Sequence, residues 1–127
     1  MKTLQESIIG RKGVPARFTK DMLKPGYIVQ YRDGELGMYL DYEDAVRISR
    51  TRSLGPRMNG EGGFFSMKHV DLSWMPVGAY NDDLKHTRGN KNLDIITVWP
   101  VKTQPQLLDQ EYLKHLTKGV APIKINQ

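Results

Sequence analysis

The alternation of apolar and polar positions is most regular in residues 24–42, where it predicts a β-hairpin. Residues 27–32 are rich in strand-forming side chains and follow a Pro-Gly turn. The dipeptide Asp33-Gly34 comes next, and it favours a two-residue hairpin turn because both residue types tolerate positive φ. We therefore expect two antiparallel strands that meet at this turn.

The second strand of this hairpin has an apolar face made of alternate residues. Its members are Leu36, Met38 and Leu40. Such alternation is typical of a strand that covers a core with one face. Gly37 lies inside the strand and indicates a bulge or a sharp bend, as small barrels need at their corners.

Further strand and loop signals follow along the chain. Strand-like runs occur at residues 46–49, 64–70 and 93–99, the last of which is strong and is followed by proline. Residues 53–63 are rich in glycine and predict a loop, and residues 76–92 predict an ordered loop with turns.

A helix is expected near each end of the chain. Residues 3–10 have a capping-box spacing and one short apolar face. Pro105 precedes a better amphipathic helix over residues 106–118, with Gly119 at the C-cap position. The apolar stripe of this second helix consists of Leu108, Tyr112 and Leu116. We expect that stripe to pack on the sheet or to form an oligomer contact, since exposed apolar area is unfavourable.

Short strands joined by Gly- and Pro-rich turns predict a mainly β protein, folded as a small antiparallel barrel. The length of 127 residues fits a single domain. Within it we expect an N-terminal helix and basic linker at 1–21, the barrel at 22–103, and a C-terminal helix and tail at 104–127.

The amino-acid composition excludes several kinds of site. The chain is 39% hydrophobic and 26% charged, as in ordinary globular domains. It has no cysteine, which excludes disulfides, cysteine-ligated zinc, iron–sulfur clusters and thiol catalysis. Its three histidines are scattered, so we expect no metal and no cofactor. Apolar runs stay far below the ~20 residues that a membrane span needs, and we expect a cytoplasmic protein.

Two stretches resemble a known family. Residues 23–36, read as Leu-Lys-Pro-Gly-Tyr-Ile-Val-Gln-Tyr-Arg-Asp-Gly-Glu-Leu, are similar to the opening hairpin of small SH3-like barrel proteins found in phages and prophages. Residues 80–86 followed by 93–99 look like the closing portion of the same family. The resemblance covers 22–100 and implies an SH3-like barrel that serves as a phage-type accessory domain in the host cytoplasm or the virion. The Arg- and Gly-rich stretch 47–63 departs from the family as an insertion.

Charge is distributed in blocks along the chain. Lys and Arg total 19 against 14 acidic residues, giving a net charge of +5 and a pI near 9.5. A basic chain favours an anionic partner. The densest basic segment, which has no acid between residues 46 and 59, contributes the predicted anion-binding residues Arg47, Arg50, Arg52 and Arg57, assisted by Lys68. Arginine forks suit phosphate, and the neighbouring glycines allow close approach. The alternative is a solvated loop whose arginines pair with the acidic residues Asp41, Glu43 and Asp44.

Catalytic motifs are missing from the sequence. It contains no G-x-S-x-G, Walker loop, H-E-x-x-H or EF-hand pattern. His69 next to Asp71, and His86 close to Asp82 and Asp83, are the only acid–base pairs that suggest themselves. We interpret His69 as a rim residue and the Asp pair as part of a turn, and we predict no enzyme activity.

These observations favour a non-enzymatic accessory protein that binds nucleic acid or a phosphorylated ligand through a basic edge. Two alternatives remain at this point. One is a protein-interaction or virion-associated structural protein, and the other is an inhibitor of a host defence system.

Overall fold

The computed structural model describes residues 17–41, 43–44, 62–68, 71–102 and 109–126, with the backbone alone at 67–68 and 71–74. Several predictions lie outside these residues. They are the helix at 3–10, the strand at 46–49, most of the loop at 53–63, and the arginine cluster.

The core of the molecule is a six-stranded antiparallel sheet with the order β4-β3-β2-β1-β5-β6. Its strands are β1 (Ile28–Tyr31), β2 (Leu36–Leu40), β3 (Gly63–Lys68), β4 (Asp71–Pro76), β5 (Ile95–Trp99) and β6 (Ile123–Lys124). The predicted mainly β class is confirmed. The expected barrel closure is not found, because β4 and β6 remain the two edges of the sheet in the described part of the chain. Both faces are covered by other segments, so the sheet buries its apolar side chains without closing on itself.

The β1–β2 hairpin lies where the sequence places it. Its strands pair in register from Ile28 opposite Met38 to Gln30 opposite Leu36. Gly34 has a φ of 98°, the left-handed conformation that the turn requires.

The predicted hairpin and the positive φ of its glycine are confirmed, but the predicted two-residue turn is wrong. The Tyr31 N–H donates to the Glu35 carbonyl, so Arg32, Asp33 and Gly34 form a three-residue loop in which only the glycine has positive φ.

Gly37 does not form the predicted bulge, since it pairs regularly with Val29 across the hairpin. Its lack of a side chain instead leaves room for the Tyr31 ring, which packs against it. A Cβ at this position would lie 2.8 Å from the Tyr31 hydroxyl oxygen. The bulge lies in β5, where Tyr31 pairs with Ile95 and Gln30 with Thr97. The intervening residue shifts the alternation, so Ile95 and Val98 face the same side although they are three positions apart.

Each face of the sheet carries its own apolar cluster, because alternate residues of one strand point to opposite sides. In β3, for example, Phe65 joins the first cluster and Phe64 joins the second. The first cluster is covered by the helix α1 (Gln110–Thr117), whose Leu113 is fully buried. The second is covered by the N-terminal segment and by the loop between β4 and β5, which contribute Leu23, Tyr80 and Leu84.

The C-terminal helix starts later than predicted. Asp109 has an extended backbone and caps the helix, with its side chain accepting the Tyr112 N–H at 2.8 Å, so a helix that runs continuously from 106 is wrong. The reason is that an aspartate N-cap satisfies a free N–H of the first turn and sets the boundary. Gly119 follows the helix with a φ of 80°, as predicted. The tail beyond it is not a bare extension, because it contributes β6 to the sheet.

Gln110 fastens the start of α1 to the sheet. Its side-chain amide donates to the Leu36 carbonyl and accepts from the Leu36 N–H, both at 2.8 Å. Pairing between β2 and β3 extends only to Met38 opposite Phe65. Gln110 therefore satisfies backbone groups of β2 beyond the point where β3 ceases to pair with it.

Candidate anion-binding site

The residues predicted to bind an anion are mostly outside the described part of the chain. Arg47, Arg50, Arg52 and Arg57 all fall in the undescribed stretch 45–61. Lys68 is the last residue of β3, where its backbone pairs with Asp71 across the β3–β4 hairpin. The arginine edge accordingly stays a prediction.

A second basic segment does lie within the structure. Residues 84–93, called here the basic loop, contain two lysines, one arginine and one histidine without any acid. Asp83 and Asp94 bound the loop at its two ends. The predicted ordered loop at 76–92 is confirmed, since this region consists of 3₁₀ turns, an isolated bridge and tight turns.

The start of the basic loop is a compact hairpin-like turn. Tyr80 and His86 form an antiparallel bridge. Beside it, the Asn81 N–H donates to the Lys85 carbonyl at 2.9 Å, and the Thr87 N–H donates to the Ala79 carbonyl at 2.9 Å. These backbone bonds fix where the side chains of Lys85 and His86 leave the chain.

Leu84 holds this turn in a strained conformation. Its φ is 67°, although leucine strongly disfavours the left-handed region, at a cost of about 1–3 kcal/mol. Its side chain is fully buried in the second cluster, which offsets that cost. Packing of Leu84 thereby sets the direction in which Lys85 points.

The β1–β2 turn is bonded to the far end of the basic loop. The Arg32 N–H donates to the Asp94 carbonyl at 2.8 Å, and the Asp33 N–H donates to the Asn92 carbonyl at 3.2 Å. A short 3₁₀ helix (Lys91–Leu93) lies just before Asp94. The side chain of Asn90 caps it by accepting the Asn92 N–H. Two segments that are far apart in sequence thus bring their cations to one place.

Asn126 closes the site from the C-terminal segment. Its side-chain amide donates to the Asp83 carbonyl at 2.8 Å and to the Ile95 carbonyl at 3.0 Å. Its own backbone carbonyl accepts a 2.6 Å bond from Nη2 of Arg32. Asn126 has a φ of 50°, a conformation that asparagine tolerates better than most residues.

These elements surround a surface pocket of about 410 Å³, called here the basic pocket. Its lining residues are Arg32, Lys85, Lys91, Asp94 and Asn126. Three cations against one carboxylate give it a formal charge of +2 (three minus one). Such a concave cationic site can receive phosphate oxygens through guanidinium and ammonium donors.

Asp94 organises the pocket from below. Its side chain is 8% exposed, and Oδ2 lies 3.8 Å from Nη2 of Arg32. Its other oxygen, Oδ1, accepts the His86 N–H at 2.8 Å. The carboxylate therefore orients both the arginine and the loop, while the arginine keeps 39% of its side chain exposed to a ligand.

The neighbouring carboxylates of Asp33 and Asp83 do not line the pocket. Asp33 accepts the Glu35 N–H at 2.9 Å, and Asp83 accepts the Lys85 N–H at 3.0 Å. The interpretation of Asp83 as a turn residue is confirmed by this bond. Both carboxylates lower the positive potential nearby, so the attraction of the pocket for an anion comes from the three cations that line it.

Tyr80 supports the loop from the core side. Its hydroxyl donates to the Leu93 carbonyl at 2.7 Å. Burial, and then the carboxylates of Asp94 and Asp33, raise the pKa of this hydroxyl well above its ordinary value, so it remains a neutral donor. Its ring meets the His86 ring edge-on at a centroid distance of 5.7 Å.

A second depression of about 420 Å³ borders the same loop and shares no lining residue with the basic pocket. We call it the His86 groove. Its lining residues are Met75, Pro76, Gly78, Ala79, His86, Thr87 and Arg88. It combines an apolar floor with an imidazole ring and a guanidinium group.

The residues of the basic loop were not among the predicted binding residues, although the sequence contains a signal for them. The same criterion that selected the arginine segment, several cations without an intervening acid, applies to residues 84–93. Arg32 gave no such signal, because it is the single basic residue within the acidic block at 25–45. Only the tertiary bonds between the β1–β2 turn and the loop reveal its place in the site.

The chain shows no match to any protein-family model, to any curated protein or to any solved structure. Over the described ranges, no helix has the length and apolar character needed to cross a bilayer. In the same ranges, no three or more His, Asp or Glu side chains come together in a way that would hold a metal ion.

Proposed function

We propose that this protein is a non-enzymatic binding protein for nucleic acid or another phosphorylated ligand, and that the basic pocket receives phosphate groups. The observation that carries this proposal is the convergence of Arg32, Lys85 and Lys91 around one concave surface with a single carboxylate. Phosphate is recognised by guanidinium and ammonium donors of this kind.

The arrangement of the pocket favours binding in a fixed geometry. The Arg32 side chain is held by an ion pair with Asp94 and by a hydrogen bond to the Asn126 carbonyl, so little side-chain freedom is lost when a ligand binds. Lys85 and Lys91 are exposed and add charge from flexible stems. The site thus pairs one oriented donor with two adaptable ones.

A binding role is favoured over a catalytic one by the engagement of the acids near His86. Asp83 and Asp94 both accept backbone N–H groups, which is a structural use of these carboxylates. SH3-like kinship and phage origin remain proposals that rest on the hairpin pattern at residues 23–36.

The test compares two double charge reversals. The pocket variant combines Lys85→Glu with Lys91→Glu. The control variant combines Lys24→Glu with Lys102→Glu, which makes the same change in net charge at the opposite end of strands β1 and β5. All four lysines are exposed, so both variants should fold. Binding of inorganic pyrophosphate and of an oligothymidylate of about 12 nucleotides, within the range that small single-strand binders cover, is measured at low salt.

We expect the pocket variant to lose pyrophosphate binding and the control to keep it. For the oligonucleotide, the slope of log affinity against log salt should fall by about 1.4, or ~0.7 for each phosphate that the variant no longer neutralises. Equal reductions in both variants would mean that only overall charge matters and would contradict the pocket assignment.

A third variant tests the arginine segment. If Arg50→Glu with Arg52→Glu abolishes binding while the pocket variant binds normally, the site lies on that segment as the sequence predicts. If wild-type protein binds neither probe at low salt, where phosphate contacts are strongest, the proposed function is wrong. The protein-interaction or virion-associated role then replaces it.

A further inference from the structure

The basic loop contributes residues to two surface depressions. Lys85 lines the basic pocket and its immediate neighbour His86 lines the His86 groove. Adjacent Cα atoms are about 3.8 Å apart, so the two surfaces are close neighbours across one strand of backbone. An extended ligand that contacts Lys85 in one depression is thus one residue away from His86 in the other.

The His86 groove has the chemistry of a base-binding surface. Its floor is apolar, formed by Met75, Pro76 and Ala79, and the imidazole of His86 provides a flat ring at its wall. Nucleobases stack on such rings whatever their sequence, because every base has a π-face. The groove is not a purely apolar docking site, since Arg88 also lines it.

The ring of His86 is held ready for stacking. The Tyr80 ring contacts it edge-on at an interplanar angle of 83°, which leaves a face of the imidazole uncovered by that tyrosine. The Arg88 N–H donates to Nδ1 of the His86 ring at 3.4 Å, and the His86 N–H donates to Oδ1 of Asp94 at 2.8 Å. A preorganised ring loses little entropy when a base stacks on it.

Cations line both depressions. Arg88 lies at the groove itself, while Arg32, Lys85 and Lys91 lie in the basic pocket across the loop. A mononucleotide carries phosphate on one side of its base. A polynucleotide strand carries phosphate on both sides, which matches the distribution of charge.

Resting on the proposed function, we propose that the ligand is single-stranded nucleic acid that crosses the basic loop. One base stacks in the His86 groove, one neighbouring phosphate lies at Arg88, and the other lies in the basic pocket. A duplex fits poorly, because its bases are stacked on one another and cannot enter a groove.

The test uses fluorescence anisotropy with three probes. They are an oligothymidylate of about 12 nucleotides, a duplex of the same length, and thymidine 5′-monophosphate as a competitor. We expect wild-type protein to bind the single strand more tightly than the duplex, and the mononucleotide to compete weakly.

His86 variants separate stacking from charge. His86→Ala should weaken single-strand binding by roughly 5- to 150-fold without changing the salt slope, since it removes stacking and leaves the phosphate-binding cations in place. His86→Phe keeps a ring and should restore most of the affinity, which a general loss of structure would not allow. His115→Ala, which removes an exposed imidazole from α1 and lies in neither lining, is the matched control and should bind normally.

The outcomes distinguish this inference from the proposed function. If duplex or mononucleotide binds as tightly as the single strand, or if His86→Ala binds normally, the single-strand inference is overturned. The proposed function survives that result as long as the Lys85 and Lys91 reversal still abolishes pyrophosphate binding. If wild type binds no probe, both proposals are wrong.

Discussion

Gly37 offers the sharpest test of the packing, because a single methyl group there is predicted to collide with one known atom. Its φ lies outside the left-handed region, so alanine meets no backbone penalty. An added Cβ would lie 2.8 Å from the Tyr31 hydroxyl oxygen and 3.4 Å from the nearest ring carbons. The shortfall against ordinary contact is about 0.6 Å, and it falls on one oxygen atom.

The magnitude follows from two opposing effects. Overpacking of a buried site costs about 1–3 kcal/mol, and Tyr31 is only 9% exposed, so its ring has little room to move. Replacing glycine by alanine restricts the unfolded chain and returns about 0.4–1 kcal/mol. We expect Gly37→Ala to lower the free energy of unfolding by ~1–2 kcal/mol.

Tyr31→Phe removes the obstructing oxygen and leaves the ring in place. In that background the closest remaining atoms are 3.4 Å away, so Gly37→Ala should be neutral or slightly stabilising. Urea unfolding of the four proteins in this double-mutant cycle measures the coupling, expected to be ~1–3 kcal/mol. An equal cost of Gly37→Ala in both backgrounds, or no cost in wild type, would refute this account.

Three further predictions concern the turn, the helix and the tyrosines. Gly34→Val should lower the free energy of unfolding by ~1–3 kcal/mol in urea, because valine is strained at a φ of 98° although no other atom lies within 4 Å of its Cβ. Leu113→Ala should lower the free energy of unfolding by ~2–5 kcal/mol, because Leu113 is fully buried. Tyr112 is only half-buried, so Tyr112→Ala should cost clearly less. A larger loss for Tyr112→Ala than for Leu113→Ala would contradict the packing of α1. Burial raises the pKa of the Tyr31 and Tyr80 hydroxyls above the ordinary value of 10, so the unfolded chain loses these protons first. The free energy of unfolding should therefore fall as the pH rises above 10, and in a spectrophotometric titration the Tyr31 and Tyr80 hydroxyls should ionise together with unfolding.

The candidate site illustrates how far local signals extend. The density of cations in residues 84–93 is visible in the sequence, and so is the turn-forming character of the residues around them. Their convergence with Arg32 is not visible, because it depends on two backbone bonds between distant segments. Asn126, which completes the pocket, carries no sequence signal of its own.

The sequence by itself determined the elements whose rules are local. The Asp33-Gly34 turn requires positive φ at its glycine, and Gly119 ends a helix for the same reason. Alternation in Leu36, Met38 and Leu40 assigned a buried face without reference to any partner. These features depend on the conformational range of single residues and on the period of a strand.

Only the tertiary structure decided the features that depend on a neighbour from elsewhere in the chain. Gly37 was predicted to be a bulge, yet its role is to accommodate the Tyr31 ring, which only the pairing of β1 with β2 brings over it. The bulge that does occur lies in β5. Most residues from Ile95 to Trp99 are apolar, so the sequence has no clear alternation from which the shift could be predicted. Whether the sheet closed was likewise beyond local rules. Among the described residues, the helix and the loop cover an apolar cluster on each face, so these clusters are removed from water without closure.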